Sequence, residues 1–246
     1  MSAWAAPRRF WTRAEAAAAP GGWTVLLDDR TVKTPAKNPL VTPHRAAAEA
    51  CAAEWAAQAE RIAPEAMPVT RALNSAIDRV APRFAEVAAT VAAYGESDLL
   101  CYRAPGPEAL AARQAAAWDP WLAWARARWG APLVCAAGVI HVAQPAVSIE
   151  KLSQAAAARD ALSLTALHDL VALSGSLVLG LAVDEGALEA RAAWALSRVD
   201  EAWQAEQWGE DAEAAQAAAL KAQGFAEAAR LAAMLRAPQA GPSLAG

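Results

Sequence analysis

A chain of 246 residues is long enough to bury one large core or two smaller ones, and a composition of 56% hydrophobic and 20% charged residues excludes an intrinsically disordered protein. A net charge of −4 and a pI near 5.5 come with no concentrated Lys/Arg surface for phosphate, which argues against nucleic acid as the principal partner. Cys51, Cys101 and Cys135 are odd in number and lack any CxxC spacing, so neither a disulfide framework nor a zinc site is expected, and unpaired thiols in a reducing compartment are.

The first residues carry Arg8, Arg9 and Arg13 among alanines, but they have no long apolar stretch and include Glu15, so they read as mature chain rather than a targeting peptide. β-Branched and aromatic residues predict strands at 23–27 and 31–33 with Asp28-Asp29 as the turn, and a third extended piece at 40–41. Thr42 and Pro43 then suit the cap and first position of a helix running to about residue 59. Its core stripe is Ala47, Cys51 and Trp55, and its polar side carries Arg45, Glu49 and Gln58. Two prolines in 62–68 forbid a regular helix and mark a hinge. The expected fold is therefore α+β: a small N-terminal domain (1–66) with a short antiparallel sheet and a helix, followed by a larger, mostly α-helical bundle domain (67–246).

Beyond Thr70 the apolar spacing is helical almost throughout. Leu73, Ala76, Ile77 and Val80 form one face, and Phe84, Val87, Val91 and Tyr94 the next, closed by Gly95. Pro107 opens a helix that Asp119-Pro120 is expected to break and restart, with Asp119 as the cap. Residues 133–135 and 139–142 around Ala137-Gly138 read as a hairpin. Helices are expected at 148–159, 163–183, 185–208, 211–222 and 225–236, with a disordered Pro/Gly/Ser-rich tail from about 238. The apolar run 170–183 is too short to span a bilayer and reads as a helix in the protein centre, where Gly175 and Gly180 let backbones approach closely; no membrane insertion is expected.

His44, His141 and His168 fall on three separate predicted elements with no HExxH or HxxxH pairing, so no metal is expected. No Gly-Lys-Ser/Thr follows the glycines, and no Gly-x-Ser-x-Gly elbow is present, so no cofactor and no catalytic residue is signalled. Asn74 and Asp78 lie one helical turn apart. Asp98 and Arg103 follow in an irregular segment, where a half-buried carboxylate must be paired; Asp78 or Asp98 with Arg103 would tie these segments together. The segment 185–208, read as one helix, places Leu188, Ala192, Ala195, Leu196, Val199, Ala202 and Trp203 on a core face. Trp194, Glu201 and Trp208 form a second stripe roughly opposite, with Ser197 and Gln204 beside it. Two indoles bracketing a carboxylate suit an interface; a central helix buried on both sides is the competing reading.

RRFW at 8–11, LDDRTVKTP at 27–35, EWAAQ at 54–58, IAPEAMPVTRALNSAID at 62–78, DLLCYRA at 98–104, RQAAAWDPWLAW at 113–124 and SRVDEAWQAEQWG at 197–209 occur in an order that resembles the assembly chaperones of the F-type ATP synthase α subunit. The likeness covers most of the chain, from Arg8 to about Arg236. It implies a two-domain, monomeric, non-enzymatic protein that binds the unassembled α subunit transiently and keeps it from aggregating. Glu201 matches an acidic position in the family's helix block, and Trp55 matches another family landmark. The partner-binding set is then Glu201, Trp194, Trp208 and Gln204, and the structural set is Trp55, Asn74, Asp78, Asp98, Arg103 and Asp119. Mitochondrial members carry a presequence, so a chain starting almost at the RRFW block implies the bacterial cytoplasm, or the mitochondrial matrix if a presequence has been removed. The competing class is a small-molecule enzyme or ligand-binding protein using the interdomain cleft, lined by Asp78, Asp98 and Arg103.

Overall fold

The computed structural model describes residues 7–236. It divides into two compact units, one running to Arg83 and taking in the last helix from Ala233, the other from Phe84 to Ala232. The division thus follows Arg83, where the sequence placed it at 66/67. The predicted tail from 238 lies outside the described residues.

The first unit is built on β2 (Gly22–Leu27). On one edge it pairs with β1 (Ala14–Ala19); on the other it pairs with β3 (Arg30–Thr31) at one end and β4 (Val41–Thr42) at the other, all antiparallel. Strand β1 is AEAAAA, a run that favours helix by propensity but is too short to nucleate one against the pairing that β2 offers. Over the sheet lies α1 (Arg45–Ala56), which buries Ala47, Ala48, Cys51 and Ala52. Trp55 is half-buried at the edge of this stripe, and Gln58, expected to face water, is buried because its side chain bonds the Glu54 carbonyl and the Ala63 amide. The bulk at this end comes from Trp11, 3% exposed, whose ring meets that of Trp55 edge-on at 5.1 Å.

The hinge segment forms a 3-10 turn at Pro64–Ala66 and passes into α2 (Pro68–Ser75), whose N-terminus is bound from the preceding helix. The Glu54 carboxylate accepts from the Val69 and Thr70 amides at 2.7 and 2.8 Å and from the Thr70 hydroxyl at 2.6 Å. A π-helical turn, Ala76–Val80, follows.

The second unit centres on α6 (Ala161–Ser174) and α7 (Leu177–Asp184). Every residue from Leu177 to Val183 is buried, so this run is a buried helix of the second unit. The single helix predicted over 163–183 is instead two, because Gly175 takes a left-handed φ of 73° and the Ser176 hydroxyl caps α7 by accepting from the Leu179 amide. A Cβ on Gly180 would stand 2.5 Å from Val171 Cγ2, so glycine is what lets α7 close on α6. Around this pair lie α3 (Phe84–Ala93), α4 (Glu108–Trp129), α5 (Ala146–Ala157), α8 (Ala190–Leu196), α9 (Val199–Trp208) and α10 (Ala212–Arg236).

Four further expectations are corrected. Helix α4 runs unbroken through Pro120, so Asp119 is not a cap but accepts an ion pair from Arg103 at 2.6 Å. The predicted hairpin at 133–142 does not form: β5 (Tyr102–Arg103) pairs in parallel with β6 (Ala136–Ala137). Helix α10 is continuous across Gly224. The helix expected over 185–208 starts only at Ala190, after a turn that follows Asp184, and is broken at Ser197-Arg198. Among the described residues no helix is long and apolar enough to cross a membrane.

Candidate functional site

Helix α9 is held by one face of α4. The Arg113 guanidinium pairs in two-pronged fashion with the Glu206 carboxylate at 2.6 and 2.8 Å and lies over the Trp203 ring. The buried Gln114 amide donates to Asp200 at 2.6 Å, and Trp118 donates its indole N–H to the Leu196 carbonyl at 2.8 Å. That last bond explains the break at Ser197: the carbonyl a continuing helix would use is taken by Trp118, and the Ser197 hydroxyl satisfies Trp194 O at 2.8 Å. The hydrogen bond from Arg113 also holds the Glu206 carboxyl below its usual range.

With Val199, Trp203 and Glu206 turned toward α4, the 100° step puts Glu201, Gln204 and Trp208 within one outward stripe. All three are exposed, and Trp208 is 78% so, an unusual position for an indole. Glu201 is paired with Arg198 at 2.7 Å. Trp194 does not share this face. Its ring packs on Phe225 of α10 with centroids 5.7 Å apart, and Arg198 covers it at 5.1 Å, so it is half-buried and anchors α8 to α10. Of the predicted core face, Leu188 and Val199 are buried, whereas Ala192, Ala195 and Ala202 are exposed because the helix break rotates the two halves apart.

The segment 184–213 is rich in acids, and several of them are paired with neighbours or cap a helix. Asp184 meets Arg159 at 2.8 Å, Glu185 meets Arg128 at 2.7 Å, and Asp211 caps α10 by accepting from the Glu213 and Ala214 amides. Glu210, Asp211 and Glu213 stay exposed just beyond Trp208.

Of the polar residues expected to be structural, Asp78, Asp98 and Arg103 are engaged, though not with the partners predicted. The Asp78 carboxylate accepts from Thr34 Oγ1, Asn38 Nδ2 and the Ala36 amide at 2.7 to 3.1 Å; the Thr34 bond foremost holds it below the usual carboxylate range. Asp98 is fully buried and accepts from the Leu100 and Val178 amides at 3.0 Å, tying the 3-10 turn before β5 to the start of α7. Burial outweighs these bonds and pushes its carboxyl up to about 6. Arg103 donates to Leu100 O and Asp119 and covers the Trp118 ring. Asn74 is half-buried and its Oδ1 has no hydrogen-bond partner among the described residues. Cys51, Cys101 and Cys135 are free thiols. Among the described residues no group of three or more His, Cys, Asp or Glu is placed to hold a metal ion.

Arg198, Arg113 and Gln114 were not singled out from the sequence. The i,i+3 spacing of Arg198 and Glu201 is a local signal that would have found the first; the other two act across more than eighty residues and leave no local trace.

The whole arrangement has known counterparts. Residues 8–126 match the family of the ATP12 chaperone protein. The chain is 50% identical to Atp12 from Paracoccus denitrificans, with a TM-score of 0.91 over 93% of this chain and 98% of that one. It belongs to the ATP12 chaperone family. A lysine variant of the Paracoccus protein matches at 49% identity with the same TM-score and coverage. A chaperone candidate from Agrobacterium tumefaciens matches at 42% identity and a TM-score of 0.89, over 94% of this chain and 87% of that one. Membership accounts for the ordered motif blocks and for the small antiparallel sheet followed by a helical domain.

Proposed function

We propose that the chain is an assembly chaperone that binds the unassembled α subunit of the F-type ATP synthase and prevents its aggregation, acting as a monomer in the bacterial cytoplasm without covalent chemistry. The observation that carries the reading is Trp208, an exposed indole on a helix fixed from behind by Arg113, Gln114 and Trp118, in a chain of this family. An unassembled subunit exposes the apolar surface it will later bury, and such surface aggregates. Trp208 supplies broad apolar contact, and Glu201 and Gln204 supply polar contacts that set orientation. Glu201 is already shared with Arg198 in an exposed pair worth only about 0–1 kcal/mol, so a cation on the client can displace Arg198 at little cost and be displaced in turn. Contact of this kind can be released when the neighbouring subunits arrive. The test is light scattering of purified α subunit diluted from denaturant. An equimolar amount of the chain, without nucleotide, suppresses the rise; an unchanged trace contradicts the proposal.

A further inference from the structure

Two of the three cysteines are neighbours in the second unit. Strands β5 and β6 pair Tyr102 with Ala136 and Arg103 with Ala137 in parallel register, so the next pair back along the two segments is Cys101 and Cys135. Neighbouring strands run about 4.8 Å apart, within the roughly 4.4–6.8 Å that a disulfide bridges between Cα atoms. Tyr102 is extended, with φ −104° and ψ 116°, so the side chains on either side of it, Cys101 and Arg103, fall on one face. The Arg103 guanidinium reaches Cys135 Sγ at 3.6 Å while also holding Asp119. Electrostatics point to the same closeness: burial first, then the Asp98 and Cys135 charges, push the Cys101 thiol up, and Arg103 opposes them. The two thiols differ in access, since Cys101 is 1% exposed and Cys135 is open to solvent. The third, Cys51, belongs to the first unit, is wholly buried and shares a hydrogen bond with Thr70 Oγ1 at 3.2 Å.

We propose that Cys101 and Cys135 are a peroxide-responsive pair, in which Cys135 is the thiol oxidised first and Cys101 the one that resolves it, closing a disulfide between β5 and β6. Cys135 is the thiol that an oxidant in solvent reaches, and Arg103 donates to its sulfur. Its thiolate attacks hydrogen peroxide: an S–O bond forms, the O–O bond breaks, and the leaving hydroxide takes up a proton as water, so Cys135 becomes a sulfenic acid. The Cys101 sulfur then attacks the Cys135 sulfur. The S–S bond forms, the S–O bond breaks, and the departing hydroxide leaves as water with the Cys101 proton. Together the two thiols give up two electrons, and one peroxide becomes two waters. All of α4 lies between the two cysteines in sequence, so the bond ties the segment before that helix to the segment after it. Small thiols of a reducing compartment reopen it.

The test exposes the reduced, folded chain to hydrogen peroxide, blocks the remaining thiols with iodoacetamide in denaturant, and reads intact mass and peptide maps with and without dithiothreitol. The expected result is one alkylated thiol of the three, at Cys51. A peptide joining Cys101 to Cys135 should appear with a loss of about 2 Da, the two thiol hydrogens, and dithiothreitol should reverse it. Cys101→Ala, exposed in the presence of dimedone, should carry the adduct on Cys135. Because that variant alters a buried position and can fail to fold, Cys135→Ser, at an exposed one, supplies a second reading: it should keep both remaining thiols. Three alkylated thiols in wild type, or loss of a thiol in Cys135→Ser, would overturn the proposal. So would Cys135 oxidised to sulfinic acid with Cys101 still free, a bridge to Cys51, or a Cys135–Cys135 bond between two chains on a non-reducing gel.

Discussion

Trp11 and Trp55 meet edge to face, but burial divides their contributions unequally. Trp11 is almost wholly enclosed and also donates its indole N–H to Trp55 O at 3.2 Å, so Trp11→Ala should cost about 3–5 kcal/mol. Trp55 is half-buried, and its alanine variant should cost about 1.5–3 kcal/mol, since only part of its surface leaves water. Urea titration of both variants checks the order, and the reverse order would contradict it. Asp98 offers a pH test. Burial raises its carboxyl from the usual 3.8 to about 6, so the folded state holds a proton that the unfolded state releases between those values. Its contribution to stability is full below about pH 4 and is lost as pH rises through about 6, by about 3 kcal/mol for a shift of this size. Subtracting the stability of Asp98→Asn from that of wild type across pH 4–8 isolates it. The difference should fall to pH 6–7 and then level; a flat difference would contradict the assignment. Asp78 carries the opposite sign, because its lowered carboxyl gives stability that is lost only in acid.

At the scale of elements, local pattern and long-range satisfaction of backbone groups decide different things. The strands at Trp23 and Thr31, the turn at Asp28-Asp29 and the buried Ala47 and Cys51 of α1 follow from residues near in sequence and were legible, whereas Trp55 is only half-buried and Gln58, read as polar surface, is buried. The helix break at Ser197 was not, because the group that terminates α8 is Trp118, far away on α4. Propensity misled in both directions: Asp119-Pro120 and Gly224 look like stops yet lie inside α4 and α10. The alanine run of β1 looks helical yet pairs with β2. Trp118→Phe tests the break directly. It keeps most of the ring and removes the donor, leaving the part-buried Leu196 O without its partner, and should cost about 1–3 kcal/mol by thermal or urea unfolding. A neutral result would mean that Leu196 O finds water and that Trp118 does not set the break.

For the molecule as a whole, the order of a small antiparallel sheet before a helical bundle was readable from the change of apolar period after Thr70 and from the ordered motif blocks. The outward stripe was readable only in part. Glu201, Gln204 and Trp208 sit together as their spacing implied, but Trp194 packs inward on Phe225, because the turn at Ser197-Arg198 keeps one helical spacing from carrying across α8 and α9. Within the 185–208 segment, the exposed stripe proposed to meet the client is thereby narrowed to α9. Charge reversal of Glu201 probes it most directly, since a lysine there repels the same basic group that the carboxylate would attract. Glu201→Lys, and Trp208→Ala beside it, should unfold within about 0.5 kcal/mol of wild type, because both positions are exposed. Capture of purified α subunit by Glu201→Lys, measured on the same preparation, should weaken by about 2 kcal/mol or more. A variant that folds normally and captures the α subunit as well as wild type would contradict the assignment of α9 as the client face.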